Sequence, residues 1–186
     1  MGRLERDLVS GMPFLSVIVP VYNEEKTIAK IVSLIDSVKI DKEIIAVDDA
    51  SRDKSREILE GLNLPCLRVI SHRRNMGKGA SFRTGLKNAQ GEVVIIQDAD
   101  LEYNPQDYLK LIPPILNNQA DMVLGARFTK GYTGLRLHQL GNRVLTALHN
   151  LLFGGRLNDL YTCYKAARRE VFQGLELKSD GFSIEQ

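Results

Sequence analysis

The chain has 186 residues, of which 44% are hydrophobic and 26% are charged, and its formal net charge is +2. This length suits one domain with a sizeable core, and the composition excludes a disordered or fibrous chain. A net charge this small gives no basis for expecting a nucleic-acid partner.

Short apolar runs alternate with amphipathic segments along the first two thirds of the chain. Continuous runs rich in β-branched residues are typical of strands buried on both faces of a sheet, and they occur at 14–21, 43–47, 66–70, 92–97 and 121–128. Helices are predicted from apolar residues spaced three and four apart, from acids in first turns and from capping residues. The predicted helices cover 24–38, Asp53 through Gly61, 79–89, and Pro105 to a stop near Pro113–Pro114. This alternation predicts an α/β fold with a parallel sheet.

The last third of the chain has a different pattern. Residues 135–153 predict an amphipathic helix, with a face formed by Leu137, Leu140, Val144, Leu148 and Leu151. We expect this face to pack on the core, with contact with a membrane surface as the alternative. A further strand is expected around Cys163 and Tyr164.

Two carboxylates follow the strand predicted at 92–97, in the sequence Asp98-Ala99-Asp100. Ligands of open α/β sheets bind beyond the carboxyl ends of the strands, so these acids lie where a substrate is expected. Such a pair can bind one hard divalent cation together with substrate phosphates, and Mg²⁺ or Mn²⁺ is the natural candidate. Glu102 is a third candidate ligand, or an acid that favours the next helix N-terminus.

Two more loops reach the same edge of the sheet. Pro20, Tyr22 and Glu24 follow the first predicted strand, where Tyr22 could stack on a nucleobase; turn formation and an acidic first helical turn are the alternatives. Asp48 and Asp49 follow the second strand and could accept hydrogen bonds from a base or a ribose. Helix capping is the alternative for either acid.

A basic loop with the sequence RRNMGKGA occupies residues 73–80. A Walker A loop would need Gly at position 72 and Ser or Thr at position 79, which hold His72 and Gly79, so a P-loop ATPase is excluded. The cations can still steer a diphosphate. No GxGxxG sequence follows the first strand, which argues against a dinucleotide-binding enzyme.

Together these motifs resemble family 2 glycosyltransferases over almost the whole chain, from SVIVPVYNEE through VDDAS, NMGKGAS and QDADLEYNP to GARF. Within that family, RNMGKGASFRTGL, DADLEY, LGNRVLTALHNLLFG and DLYTCYKAARREV look like the polyprenyl-phosphate branch, which includes dolichyl-phosphate mannosyltransferases and glucosyltransferases. The chain departs from the common pattern at Ala50, Arg52 and Ala126, where Gly, Thr and Ser are usual. Glu102 stands where many mannosyltransferases carry Gln.

The resemblance implies a GT-A fold with a mainly parallel central sheet and helices on both faces, in one domain over 1–186. A nucleotide-binding part would cover about 14–128 and an acceptor-side part about 129–186. The nucleoside pocket would be lined by Pro20, Tyr22, Glu24, Val47 and Asp49. The diphosphate sugar and its Mg²⁺ or Mn²⁺ would be held by Asp98, Ala99, Asp100 and Arg127, with Glu102 as a further metal ligand.

The resemblance also implies an inverting transfer of mannose or glucose from a GDP- or UDP-hexose to a polyprenyl phosphate. Such an acceptor is largely dianionic at neutral pH and needs no general base, so arginines matter more. Arg127, with Arg136 or Arg143, could clamp the acceptor phosphate, although the latter two could also be a solvated helix face. A sugar-hydroxyl acceptor would need a base, for which Asp159 is the candidate unless it is a capping residue.

Two other classes of protein stay open. One is a truncated nucleotide-sugar-binding protein without efficient transfer. The other is a nucleotidyltransferase, although such an enzyme would need a Gly- and Arg-rich loop where this chain has PVYNEE. Cys66 and Cys163 show no pairing pattern, and no run reaches the roughly 18 apolar residues of a membrane span. We therefore expect a cytoplasmic protein that can associate peripherally with the cytoplasmic face of a membrane.

Overall fold

The computed structural model describes residues 14–125, 146–152, 154, 162 and 164–175. The first half of the fold consists of β1 (Leu15–Val21), α1 (Ile28–Ser37), β2 (Lys42–Asp48), α2 (Ser55–Gly61), β3 (Leu67–Ser71) and α3 (Lys78–Asn88). It continues with β4 (Val93–Ile96), a 3₁₀ turn (Pro105–Asp107), α4 (Tyr108–Leu111), α5 (Pro113–Leu116), β5 (Met122–Leu124), β6 (Lys165–Arg168) and α6 (Arg169–Gly174). Residues 146–152 are also helical.

The six strands form one sheet in the order β3-β2-β1-β4-β6-β5. The first four strands of that order run parallel, and β1 lies at the centre of them, paired with β2 on one side and β4 on the other. β6 is antiparallel to both β4 and β5. The prediction of a mainly parallel α/β sheet is confirmed.

Helices cover both faces of this sheet. On one face, alternate residues of β1 pack against α1 and the segment 108–115, in a cluster that includes Leu15, Val17, Val19, Ile31 and Tyr108. On the other face, Ile18 packs with Phe82 of α3 and Phe172 of α6. A Cβ added at Gly85 of α3 would lie 2.4 Å from Ile18 Cγ2, so the missing side chain lets α3 sit close to β1.

One predicted helix boundary is wrong. The helix expected from Glu24 begins at Ile28, because the Glu24 carbonyl accepts hydrogen bonds from the N–H groups of both Thr27 and Ile28 and closes a turn first. The helical segment expected from Pro105 to a stop near Pro113–Pro114 ends at Leu111, and a separate helix, α5, begins at Pro113. A proline suits the first turn of a helix, where its missing N–H would have no partner.

The last third differs more from expectation. The strand expected around Tyr164 begins one residue later, at Lys165, and Cys163 lies outside the described residues. In the helical segment 146–152, Leu148 and Leu151 are 48% and 80% exposed. The expected core packing of this face is therefore wrong for the described part of it. Within the ranges that the structure describes, no helix has the length and hydropathy to cross a bilayer.

Candidate functional site

A cavity of about 490 Å³ lies at the carboxyl ends of β1, β2 and β4, beside the start of α3. Its lining includes most of the site residues that the sequence predicts, namely Pro20, Tyr22, Glu24, Asp49, Asp98, Ala99, Asp100 and Glu102. Val47 does not line it, because its side chain is fully buried in the cluster between the sheet and α3. Any ligand contact by Val47 would therefore involve its backbone.

Four residues with predicted roles lie outside the described part of the chain: Arg127, Arg136, Arg143 and Asp159. Their assignments to the diphosphate sugar, the acceptor phosphate and the acceptor hydroxyl stay predictions.

Hydrogen bonds join the loop after β1 to the loop after β2. The Asn23 N–H donates to Ser51 Oγ at 3.0 Å, and Asn23 Oδ1 accepts from the Arg52 N–H at 2.8 Å. The Glu24 N–H donates to Ser55 Oγ at 2.7 Å. These contacts fix the wall that presents Tyr22, whose side chain stays exposed and available for stacking.

Three non-glycine residues with positive φ follow the strands that form this edge: Asn23 after β1, Ala50 after β2 and Leu101 after β4. Ala50 has a φ of 59°, a left-handed conformation that costs an L-residue roughly 1–2 kcal/mol. This conformation explains why glycine is usual at the position in the family that the sequence resembles.

The Asp49 carboxylate organises the loop between β3 and α3. Its Oδ1 accepts from His72 Nδ1 at 2.7 Å and from the Met76 N–H at 2.9 Å, and its Oδ2 accepts from the Gly77 N–H at 2.7 Å. Because an ionised carboxylate only accepts, His72 carries a proton on Nδ1, and its Nε2 forms a second hydrogen bond with Thr84 Oγ1 at 2.9 Å. Asp49 thus has a structural role that the sequence did not reveal.

The neighbouring Asp48 is used differently. It is 1% exposed, and its Oδ1 accepts from the Ser51 N–H at 3.3 Å. It is not among the residues that line the cavity. Asp49, which the resemblance places in the nucleoside pocket, does line the cavity.

The two acids after β4 lie in a charged environment. Lys78 Nζ of α3 is 2.7 Å from Asp98 Oδ1, and both side chains are largely buried. Burial raises the pKa of Asp100, a hydrogen bond from the Glu102 N–H opposes that shift, and the negative charge of Asp98 adds to it. A cation bound beside Asp98 and Asp100 would offset the repulsion between their negative charges.

Buried polar residues support the backbone at Asp98. The Tyr108 hydroxyl donates to Gln97 Oε1 at 2.9 Å, and Gln97 Nε2 donates to the Asp98 carbonyl at 3.0 Å. Both supporting side chains are fully buried. They hold the peptide that carries the acids in one orientation.

The chemistry of these acids fits a hard divalent cation. Asp98, Asp100 and Glu102 line one cavity, but no three His, Cys, Asp or Glu side chains in the described ranges cluster closely enough to form a complete site. Mg²⁺ commonly binds through one or two carboxylates and completes its shell with water and substrate phosphates. Asp98 and Asp100 could be those carboxylate ligands.

The β3–α3 loop and the first turn of α3 also line the cavity, with Asn75, Gly77, Lys78 and Ser81. Of these, the sequence gives a role only to Lys78, as a cation of the basic loop that can steer a diphosphate. The signal was the NMGKGAS sequence, which predicts a basic loop but not which of its residues face a ligand. The start of α3 at the cavity adds a partial positive charge to that of Lys78.

Comparisons with known proteins agree with this architecture. The profile of the family described as Glycosyl transferase family 2 matches residues 16–175. A dolichol-phosphate mannosyltransferase of Pyrococcus furiosus is 32% identical in an alignment that covers 91% of this chain and 50% of that protein. A dolichyl-phosphate hexose transferase of Haloferax volcanii is 30% identical over 92% of this chain and 74% of its own length.

A solved structure has a similar fold. Glucosyl-3-phosphoglycerate synthase from Mycobacterium tuberculosis, solved with Mn²⁺, UDP-glucose and phosphoglyceric acid, superposes with a TM-score of 0.74 at 26% identity. The match covers 99% of this chain and 65% of the synthase. The chain thus spans half to two thirds of the length of several proteins that it resembles.

Proposed function

The chain belongs to glycosyl transferase family 2, and from this premise we propose that it transfers a hexose from a nucleoside-diphosphate sugar to a polyprenyl phosphate. The observation that carries the proposal is the single cavity that joins Asp98 and Asp100 to Tyr22 and Asp49. It offers cation ligands at one end and an aromatic ring with a hydrogen-bond acceptor at the other. A nucleoside diphosphate needs that combination.

The acceptor assignment rests on relatives. Two similar proteins are a dolichol-phosphate mannosyltransferase and a dolichyl-phosphate hexose transferase, and the second is covered over 74% of its length. These names favour a polyprenyl phosphate as acceptor and mannose or another hexose as the transferred sugar. The GDP- or UDP-linked donor would bind in the described cavity, and the acceptor would meet residues beyond Gly125.

Donor binding would use residues on both sides of the cavity. Asp98 and Asp100, with Glu102 nearby, would hold Mg²⁺ or Mn²⁺, which when bound neutralises charge on the leaving nucleoside diphosphate. Lys78, whose Nζ lies 2.7 Å from Asp98, and the first turn of α3 would bind diphosphate oxygens beside the cation. Gln97 would keep the Asp98 peptide in place while these charges assemble.

Transfer itself would invert configuration at the anomeric carbon by a single displacement. A polyprenyl phosphate oxygen is already anionic near neutral pH and can attack without a general base. Arg127, Arg136 and Arg143 are the proposed contacts of that phosphate, and peripheral attachment to a membrane would bring the lipid to them. An acceptor hydroxyl would instead require a base, and Asp159 keeps that role in the alternative proposal.

The test is Asp100→Asn, assayed by transfer of labelled hexose to polyprenyl phosphate with Mn²⁺ or Mg²⁺. We expect a loss of about 100-fold or more, because the variant lacks a carboxylate that would hold the cation, and the cation would stabilise the leaving group. Thermal stability should change little, since Asp100 is partly solvent-exposed on the cavity side and its only described hydrogen bond comes from the Glu102 N–H. Asp107→Asn is the matched control, because Asp107 lies outside the cavity and pairs with exposed Lys110.

Full transfer by Asp100→Asn would refute the assignment of the metal site. Donor binding without transfer in the unaltered chain would instead favour a nucleotide-sugar-binding protein. Isothermal titration with the nucleoside diphosphate, with and without Mn²⁺, separates these two results.

A further inference from the structure

The loop from Asp98 to Asn104 carries all three candidate cation ligands. Asp98, Asp100 and Glu102 alternate along it, and all three line the cavity. Leu101 lies between the last two acids and has a φ of 66°, a left-handed conformation that L-residues rarely adopt. A conformation of this kind persists only where the surrounding structure holds it. The geometry of the cation site therefore depends on the contacts that fix this loop.

Buried side chains donate to the backbone at both ends of the loop. At its first end, Gln97 Nε2 donates to the Asp98 carbonyl at 3.0 Å. At its other end, the Tyr164 hydroxyl donates to the Asn104 carbonyl at 2.9 Å. Because Asn104 is two residues beyond Glu102, the hydrogen bond from Tyr164 limits where this end of the loop can lie.

Tyr164 can fix the loop because it is itself held in one orientation. Its side chain is buried, and its ring packs on Tyr103 and Tyr108, with centroid distances of 4.6 Å and 5.9 Å. Its carbonyl accepts from the Gly125 N–H at 2.8 Å, and its own N–H donates to Thr162 Oγ1 at 3.2 Å. The hydroxyl therefore donates from a fixed position.

The Tyr164 hydroxyl remains a donor near neutral pH and above it. Burial raises the pKa of this hydroxyl, and the negative charge of Asp107 adds to the shift. A protonated hydroxyl can donate to a carbonyl, whereas a phenolate cannot. The hydrogen bond to Asn104 is therefore independent of the charges that assemble in the cavity.

We propose that Tyr164 is a positioning residue for the cation site, because its hydrogen bond to Asn104 keeps Asp100 and Glu102 directed into the cavity. This inference rests on the proposed function and adds to it a residue that acts from a distance, since Tyr164 lies outside the described lining of the cavity. Tyr164 directly precedes β6, so the strand that pairs with β4 also fixes the loop that follows β4.

The experiment compares Tyr164→Phe with the unaltered full chain. Phenylalanine keeps the ring and its packing and removes only the donor to Asn104. Calorimetric titration with UDP and with GDP, at a series of fixed Mg²⁺ concentrations, gives the Mg²⁺ concentration at which nucleotide binding is half-maximal. We expect the variant to need about three- to tenfold more Mg²⁺, which is the range that the loss of one hydrogen bond gives.

Ca²⁺ supplies a readout that a general loss of structure would not produce. Mg²⁺ requires near-ideal octahedral geometry, whereas Ca²⁺ accepts flexible coordination. A loop that is held less firmly should therefore raise the half-saturating concentration of Mg²⁺ more than that of Ca²⁺. The same titrations with Ca²⁺ in place of Mg²⁺ measure this difference.

Ile45→Val is the matched control for stability. Ile45 is fully buried in the cluster on the α3 face of the sheet, whereas Tyr164 belongs to the cluster on the other face. Loss of one methylene there should lower the Tm by a few degrees, as loss of the Tyr164 hydroxyl should. The half-saturating concentrations of both cations should stay those of the unaltered chain.

Several outcomes would overturn the inference. An unchanged Mg²⁺ requirement in Tyr164→Phe, with cation-dependent binding intact in the unaltered chain, would refute the role of Tyr164 and leave the proposed function standing. Equal rises in Tyr164→Phe and Ile45→Val, or equal rises for Mg²⁺ and Ca²⁺, would also refute it, because lost stability would then explain the effect. If neither nucleotide binds to the unaltered chain with either cation, the proposed function and this inference fail together.

Discussion

Asp49→Asn should destabilise the protein even when no nucleotide is present. Both Asp49 oxygens accept hydrogen bonds from N–H donors, so an asparagine must turn its NH₂ group toward at least one of them. With its oxygen toward His72 and Met76, the amide leaves the Gly77 N–H without an acceptor and removes the charge from the other two bonds. A buried donor without a partner costs about 1–3 kcal/mol, and charged hydrogen bonds exceed neutral ones by about 1 kcal/mol.

We therefore expect a loss of about 2–4 kcal/mol in the free energy of unfolding. For a domain of this size, that corresponds to a fall in Tm of about 5–15 °C. Differential scanning fluorimetry and urea unfolding of the nucleotide-free protein measure both quantities. The matched control is Asp48→Asn, where an amide oxygen can keep the one long bond from Ser51 and the loss should stay below about 1 kcal/mol.

Equal stability of the two variants would refute this account of Asp49. It would mean that the 72–77 loop is held by other contacts and that Asp49 acts only on ligands. Loss of nucleotide binding by Asp49→Asn without loss of stability would lead to the same conclusion.

Three further predictions concern the scaffold. Ala50→Gly should raise the free energy of unfolding in urea by about 0.5–1 kcal/mol, because glycine accepts the left-handed conformation without strain. As a control, the same change at an exposed helical alanine should lower the free energy of unfolding. A lower stability of Ala50→Gly would contradict the prediction. Gly85→Ala should lower the free energy of unfolding by about 1–3 kcal/mol, because the added methyl group overpacks against Ile18. In a double-mutant cycle, Ile18→Ala should relieve part of that loss, and strictly additive effects would show that the two side chains do not meet. The pKa of the Cys66 thiol is raised first by burial and then by the Asp36 carboxylate, which lies 3.3 Å from Sγ. In a variant that lacks the other cysteine, Asp36→Asn should therefore shift the pH-rate profile of Cys66 alkylation to lower pH. An unchanged profile would mean that burial alone raises this pKa.

Much of the fold could be predicted because its strands carry a strong local signal. β1, β2 and β4 are short β-branched runs, and the order of strands and helices along the chain predicts a parallel sheet. β6 has a weaker local signal, since a strand is expected around Cys163 and Tyr164 but the sequence KAAR of β6 itself contains no β-branched residue. Its place in the sheet is set by partners far away in sequence, with Ala166 and Ala167 buried between β4 and β5.

The location of the site could be predicted, but its internal contacts could not. Parallel strands end at one edge, so acids after β2 and β4 had to lie near each other. The hydrogen bonds of Asp49 join residues 23 to 28 positions apart in sequence and depend on the path of the β3–α3 loop. No local pattern indicated that path, and none indicated that Lys78 reaches Asp98.

The contact between Gly125 and Tyr164 has a consequence for how such a protein can change. The Gly125 N–H donates to the Tyr164 carbonyl at 2.8 Å, the Thr162 hydroxyl donates to the Gly125 carbonyl, and the Tyr164 hydroxyl donates to the Asn104 carbonyl at 2.9 Å. The chain thus leaves the sheet and returns to it at one point. Once the two ends of a chain segment are held together, each doubling of its length adds only about 0.6 kcal/mol to the cost of closing it. We therefore expect the sheet and its cavity to tolerate insertions or deletions between these two residues.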